Sequence, residues 1–484
     1  MKYIQCPINK ISLSSRKDDQ VIRNPSGSIS YHKLDQLIQY TSHDLILRGI
    51  KKRAKVGLLC SNGLDFIVYY FALLRIEGIV CLLNTRWPSE VLNRELDELN
   101  LTFLISSKNL TKSKKIQHIK LSDQNKYIKQ AQGQNLNVCR YNLENISNIM
   151  FTSGSGAFPK AVVHTIGNHY YSALGSNEHI TLHTDDRWMF SLPAYHVSGL
   201  SILWRTILAG ASIQTVNDKI DFVQNIIKFK PTHISLVPTQ LIKCMRNVQC
   251  RKILSKMKSV LVGGSAIDPN LIKKAIEHQL PIYISYGLTE MSSQVATSKK
   301  IRELIDVNSV KVLKYRKLKI DSQGSILVKG ETLFKGYYRR GNIKKMVDKS
   351  GWYKTGDLGE FSKKNGLKVL GRSDNMFISG GENIQPEQIE REILQQGSVE
   401  QVLVISVKDL TFGHRPVAFL KMAKGKRFSR KKLVDDLSLR IERYKIPDQF
   451  YYFPKEKVSS GIKVSRAELK KIIEKEPRML TKAV

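Results

Sequence analysis

The chain has 484 residues, 42% of them apolar and 25% charged, which is too long for one hydrophobic core and too apolar for a disordered protein. Its 78 Lys and Arg stand against 42 Asp and Glu, a formal charge of +36, but the basic residues fall in short clusters (51–55, 112–115, 429–432) with no basic arm, zinc finger or aromatic-basic RNA-binding pattern. The longest apolar run, Phe66 to Leu74, stops at Arg75, well short of the roughly 18 residues of a membrane span.

From the N-terminus, MKYIQCPINK carries no apolar signal core, and a cytoplasmic protein is expected. Six scattered cysteines without a C-x-x-C pair read as free thiols. β-rich runs at 54–63, 146–156, 188–193, 259–264 and 282–287 end at small or polar residues and alternate with helical patterns. One helix opens at Asp268 and Pro269, an N-cap followed by N1 proline, with Ile272, Ala275, Ile276 and Leu280 on its apolar side. Such alternation predicts parallel sheets, with ligands bound beyond the strand C-termini. A second, α+β unit is predicted after GRSDN (371–375): helix 386–396, strands 401–407 and 416–422, helix 431–444, and a last helix opened by Ser465 and Glu468 as a capping box. The final nine residues are expected to fray.

Four segments carry chemistry. FTSGSGAFPK (151–160) offers backbone amides, hydroxyls and Lys160 to an anion, without being a Walker loop. YGLTE (286–290) combines a ring that can stack on a base, a hydroxyl for a phosphate and a carboxylate for a hard cation. WYKTGDLGE (352–360) with GRSDN provides Asp357 and Arg372, and a carboxylate can accept both hydroxyls of a ribose. SSGIKVSR (459–466) places Lys463 on a loop as a mobile point charge. Alone, the first segment reads equally as a flexible turn, the second is a weak signal against a plain strand-to-loop turn, the third has a hairpin turn with a surface Asp as its alternative, and the fourth reads better as a solvated lysine.

In this order and spacing, the four segments resemble the adenylate-forming superfamily of acyl-CoA synthetases, nonribosomal adenylation domains and luciferases, from about residue 25 to about 473. KAVVHT (160–165), SLPAYHVSGL (191–200), SGGENIQPEQIE (379–390), FGHRPVAFL (412–420) and GIKVSRAELK (461–470) are most similar to the 2-succinylbenzoate–CoA ligases of menaquinone synthesis. The resemblance implies an α/β fold, with a large N-terminal AMP-binding domain (1–373) of parallel-rich sheets and a small mobile C-terminal domain (374–484). It implies ATP, Mg²⁺ and coenzyme A as co-substrates and cofactor, and a small carboxylic acid as partner. Thr152, Ser153, Gly154, Ser155 and Lys160 would then cradle phosphates. Gly263, Gly264, Ser265, Tyr286 and Gly287 would border adenine. Thr289 would touch the α-phosphate, and Glu290 would bind Mg²⁺. Asp357 and Arg372 would hold the ribose, Lys463 would bridge α-phosphate and attacking carboxylate, and Asp374 would be the hinge. Gly380 and Gly381 would move to the thioester step, and His196 would line the acid pocket.

Arg205 is a further candidate from the residues themselves. It sits in the apolar run GLSILWRTILAGA, where a charge is costly unless paired. A dicarboxylate needs a fork for its second carboxylate; the alternative is a guanidinium reaching out to the helix surface. Two departures mark the phosphate loop: Gly156 stands where the superfamily has Thr, and Ala157 where it has Gly. The lost hydroxyl would remove one phosphate contact, about 1–3 kcal/mol. Other readings are a ligase for another aryl or fatty acid, an adenylating enzyme with another acceptor, and a basic nucleic-acid-binding protein on a degenerate ligase scaffold.

Overall fold

A computed structural model describes residues 2–25, 27–107, 115–121, 136–152, 159–264, 267–304, 310–362, 366–454, 465–475 and 480–483. Two large mixed sheets dominate them. The first has eight strands, in the order Asn342–Lys344, Gly336–Arg339, Lys160–Thr165, Ile146–Thr152, Ile79–Leu82, Lys55–Leu59, Phe103–Ser106 and Gln117–Lys120. From Ile146–Thr152 onward its strands are parallel; Lys160–Thr165 and the two beyond it run antiparallel. The second has thirteen strands. Its parallel block joins Gln20–Asn24, Ser212–Gln214, Arg187–Met189, His233–Leu236, Ser259–Gly263 and Ile282–Leu288. An arm of mostly antiparallel strands continues from Ser293–Ser298 to Tyr353–Ser362 and Gly366–Arg372. The expectation of parallel sheets therefore holds for a block of each sheet, reaching one edge of the first, and fails in the remaining strands. There, hairpins replace crossover helices as the connections.

The run Phe66 to Leu74 lies in the helix Leu64–Arg75 and is buried on every side, as an all-round apolar helix requires. At its C-terminal end Arg75 pairs with the fully buried Asp35, which also accepts from Asn9 Nδ2 at 2.8 Å. The helix Pro269–Glu277 begins as expected, with the Asp268 side chain accepting from the Asn270 amide and proline at N1. No helix among the described residues is long and apolar enough to cross a membrane, and all six cysteines are free.

Residues 377–483 build separate apolar clusters around a three-stranded sheet, Val399–Asp409, Gly413–Met422 and Gln449–Tyr452. The clusters of the two large sheets draw on residues up to Val369. Two expectations are corrected in this part. The helix predicted over 431–444 spans Arg430–Ser438. Leu433, Leu437 and Ile441 are buried, so the apolar spacing runs on past the helix end, while the chain turns to bring Gln449–Tyr452 beside Gly413–Met422. The expected fraying is absent from residues 480–483. Tyr452 donates its amide to Thr481 O and Ala483 to Phe450 O, both at 3.0 Å, and Ala483 is buried.

Candidate active site

The phosphate-loop candidate closes a hairpin. Thr152 ends one strand, Lys160 starts the next, and the two are direct partners across the ladder. Ser153, Gly154 and Ser155, with Gly156 and Ala157, lie outside the described residues, as do Ser265 and Lys463. Lys160 sits over the Tyr337 ring, its Nζ 5.4 Å from the centroid. That contact arises because Gly336–Arg339 pairs with Lys160–Thr165. The Tyr337 hydroxyl donates to Glu290 Oε1 at 2.5 Å and lies 2.9 Å from the Tyr353 hydroxyl. Burial, and then the Glu290 charge, push the Tyr337 phenol far up, so it stays a donor. Tyr337 thus joins the first motif to the second, a link that no local pattern in the sequence signals.

Tyr286, Asp357 and Arg372 meet in one cluster. The Tyr286 hydroxyl donates to Asp357 Oδ2 at 2.5 Å. Arg372 Nη1 donates to Asp357 Oδ1 at 3.2 Å and to Thr355 O at 3.1 Å. Asp357 and Arg372 are cross-strand partners, so the hairpin expected as a bland alternative is also what aligns them. Desolvation raises the Asp357 pKa while Tyr286 and Arg372 oppose the rise. Asp374 accepts from Arg372 Nε and Nη2 at 2.9 and 3.0 Å, which ties the hinge candidate to the ribose candidates.

The YGLTE turn has little freedom. A Cβ on Gly287 would stand 2.1 Å from Ser293 O, so glycine is required by close approach. Gly264 has φ +87, a conformation that glycine adopts without strain. Ser292 and Ser293 complete the turn at φ +53 and +106. The Thr289 carbonyl accepts from the Ser292 amide at 3.0 Å and from His164 Nε2 at 2.7 Å. Asn148 Nδ2 donates to His164 Nδ1 at 3.3 Å, and His169 Nε2 donates to Asn148 Oδ1 at 2.7 Å. His169 stacks on Trp204, with centroids 5.9 Å apart. This places the His164 proton on Nε2, as its donation to a carbonyl demands. A buried His–Asn–His relay therefore fixes the backbone at Thr289, and sequence reasoning missed it: His164 and His169 are single letters on a strand and a helix, brought to Asn148 only by sheet pairing.

Burial lowers His164 to about 4, below its ordinary 6.5, and carries His169 well below 6.5 as well. Such groups stabilise the fold fully above about pH 6.5, and that stability is lost as pH falls toward 4. His164→Ala should cost about 1–3 kcal/mol and raise KM for ATP. His164→Gln, whose amide can still donate to Thr289 O, should keep activity and flatten the acid loss. Urea midpoints across this pH window check both; an equally steep acid loss in His164→Gln would count against the relay.

The helix Val197–Ala209 carries the acid-pocket candidates. His196 is its N-cap residue, half-buried, edge-on to Tyr195 at 4.7 Å, and lowered to about 4 by burial and the nearby Arg86 charge. Arg205 is 1% exposed, which overturns the alternative of a guanidinium at the helix surface. Its Nη2 donates to Ser293 Oγ at 3.1 Å, its guanidinium lies 5.5 Å from the Trp188 ring centre, and its buried Nε has no partner. Burial lowers it to about 9, so it is charged at neutral pH. Ser293 pairs with Leu288, which puts Arg205 beneath the YGLTE turn.

Among the described residues no three metal-ligating side chains cluster. Glu290 is buried, with Tyr337 on one carboxylate oxygen. One carboxylate completed by substrate phosphates suits Mg²⁺, which seldom uses an all-protein cage.

Residues 11–338 match the family model described as AMP-binding enzyme. The chain belongs to the AMP-binding enzyme family. Among its relatives, the 2-succinylbenzoate–CoA ligase of Escherichia coli K12 is 33% identical over 463 residues, covering 95% of this chain and 97% of that one. A Bacillus cereus protein of the same name is 29% identical over 470 residues, covering 94% and 96%. The o-succinylbenzoate coenzyme A synthetase of Bacillus subtilis, solved with ATP and magnesium ion, superposes with a TM-score of 0.84 at 25% identity, covering 97% of this chain and 100% of that chain. The AMP-binding enzyme fold thus spans nearly the whole chain.

Proposed function

We propose that this protein is an ATP-dependent, AMP-forming acid–thiol ligase that activates 2-succinylbenzoate as an acyl-adenylate and transfers the acyl group to coenzyme A, in the cytoplasm, for menaquinone synthesis. The observation that carries the reading is the meeting of Tyr286, Asp357 and Arg372, which joins two of the four motifs in one polar cluster. Full-length similarity to enzymes of that name supports it.

The acid's carboxylate oxygen attacks the α-phosphorus of ATP, and pyrophosphate leaves. The thiol of coenzyme A then attacks the acyl carbonyl, and AMP leaves. Positioning and charge neutralisation dominate such phosphoryl chemistry. Thr152, Ser153, Gly154, Ser155 and Lys160 hold the β- and γ-phosphates, and Thr289, fixed through its carbonyl by His164, faces the α-phosphate. Gly263, Gly264, Ser265, Tyr286 and Gly287 flank adenine; Asp357 and Arg372 take the ribose hydroxyls. A magnesium ion held by Glu290 supplies charge neutralisation. His196 lines the acid, and Arg205 receives its second carboxylate. Residues 1–373 and 374–484 act as two bodies hinged at Asp374, a division supported by their separate apolar clusters.

Pyrophosphate release measured across an acid panel, with and without coenzyme A, tests the proposal. Release should be greatest with 2-succinylbenzoate, and acyl-CoA should form only with the thiol present. Preference for another aryl or fatty acid would reassign the substrate; no release with any acid would sink adenylation.

A further inference from the structure

The strands Lys55–Leu59, Ile79–Leu82 and Ile146–Thr152 run parallel. The last of them ends at the phosphate loop, so the residues just before Lys55 lie at the opposite edge of the sheet. The helix Tyr31–Leu47 ends at that edge with two adjacent aliphatic side chains in solvent: Ile46 is 53% and Leu47 73% exposed. Gly49, at φ +90, turns the chain into Lys51, Lys52 and Arg53. Ile46, Gly49, Ile50, Lys51, Lys52 and Ile76 line a shallow groove of about 490 Å³, which combines three isoleucines with two lysines. Arg48 and Lys52 are paired with Asp44 and Glu77. Lys51 and Arg53 are exposed and in no ion pair among the described residues. Arg53 also borders a larger hollow of about 940 Å³ that carries Arg94 and Arg340 on its wall beside Asp97 and Glu98. Basic residues thus continue past the groove, offset there by Asp97, Glu98 and the Arg94–Glu95 ion pair, on a chain whose formal charge is +36.

We propose that this edge is a docking surface for a bilayer bearing anionic phospholipid. Exposed aliphatic side chains beside unpaired Lys and Arg match the two layers of such a surface, acyl boundary and phosphate headgroup. A nucleic acid offers the phosphates but nothing apolar for Ile46 and Leu47, and residues 46–55 hold no aromatic ring to stack on a base. Attachment is peripheral and reversible, and the nucleotide site at the other edge stays open to solvent. The surface is independent of the substrate assigned above.

The test is flotation of the full-length protein with phosphatidylcholine vesicles, with and without phosphatidylglycerol, over a salt series. The protein should float only with phosphatidylglycerol, and less as salt rises. Lys51→Glu with Arg53→Glu should lower the partition coefficient roughly tenfold or more. Ile46→Ser with Leu47→Ser should weaken the binding that persists at high salt. Lys431→Glu with Lys432→Glu, exposed residues elsewhere with the same change of charge, should leave binding intact. Unchanged thermal midpoints show that the variants are folded. Absence of flotation, or equal loss in both charge-reversed pairs, overturns the proposal. So does displacement by single-stranded RNA at matched phosphate concentration, which would assign the surface to nucleic acid.

Discussion

Lys463→Ala is expected to slow adenylation by about 10²–10³-fold while leaving thioester formation from supplied acyl-adenylate close to wild type. The first half-reaction drives a carboxylate against a phosphate, so two anions approach in the transition state. A lysine between them neutralises charge that the ground state keeps apart, and such an interaction lowers kcat rather than KM. The second half-reaction has no such encounter: the thiol meets an acyl carbonyl, and AMP departs. The helix Arg466–Lys475 that follows is anchored independently of Lys463. Arg466 donates to Glu390 Oε1 at 2.6 Å and to Val404 O at 3.2 Å, and lies 3.3 Å from Glu387. The substitution should therefore leave the small sheet standing. Single-turnover assays of each half-reaction decide the matter, and equal losses in both would remove Lys463 from this role.

Arg205→Leu should raise KM for 2-succinylbenzoate by about 10–100-fold, the worth of one charge-assisted contact, with little change in kcat. The guanidinium is buried with one side-chain partner, Ser293, and an unpartnered Nε. Such an arrangement costs folding energy, and a buried charge replaced by an apolar side chain of similar volume is often neutral or stabilising. Two readouts then separate binding from scaffolding. A binding role leaves the melting temperature unchanged or higher while KM rises. It also predicts that acids lacking the second carboxylate react equally with both proteins. An unchanged KM for 2-succinylbenzoate, or a fall in stability without a substrate-dependent effect, would refute the assignment.

Much of the candidate site was legible because its parts are short, contiguous motifs. YGLTE and TGD each hold a turn together with candidate chemistry, whereas the hairpin that aligns Asp357 with Arg372 was legible only as the bland alternative. The helix at Pro269 was readable from its cap, its N1 proline and the apolar spacing behind them. What escaped depends on pairing between distant segments. Tyr337 reaches Lys160 and Glu290 because Gly336–Arg339 pairs with Lys160–Thr165 in the first sheet. The relay through Asn148 needs a strand, its neighbour and a helix to be in place at once. The burial of Arg205 also resisted reading, since an arginine in an amphipathic helix reaches solvent as readily as core. The end of the helix at Ser438 was misplaced because local periodicity does not register where a neighbouring strand requires the chain to turn.

The direct pairing of Thr152 with Lys160 fixes the two residues that flank the phosphate-loop candidate. Both anchors belong to a ladder that continues through Phe151 with Ala161 and Met150 with Val162, so their separation is set by the sheet rather than by the residues at 156 and 157. A substitution at either position would leave the ladder partners of Lys160 in place. A consensus segment could be grafted between the same anchors to measure, on an unaltered framework, what the missing threonine hydroxyl contributes to nucleotide affinity.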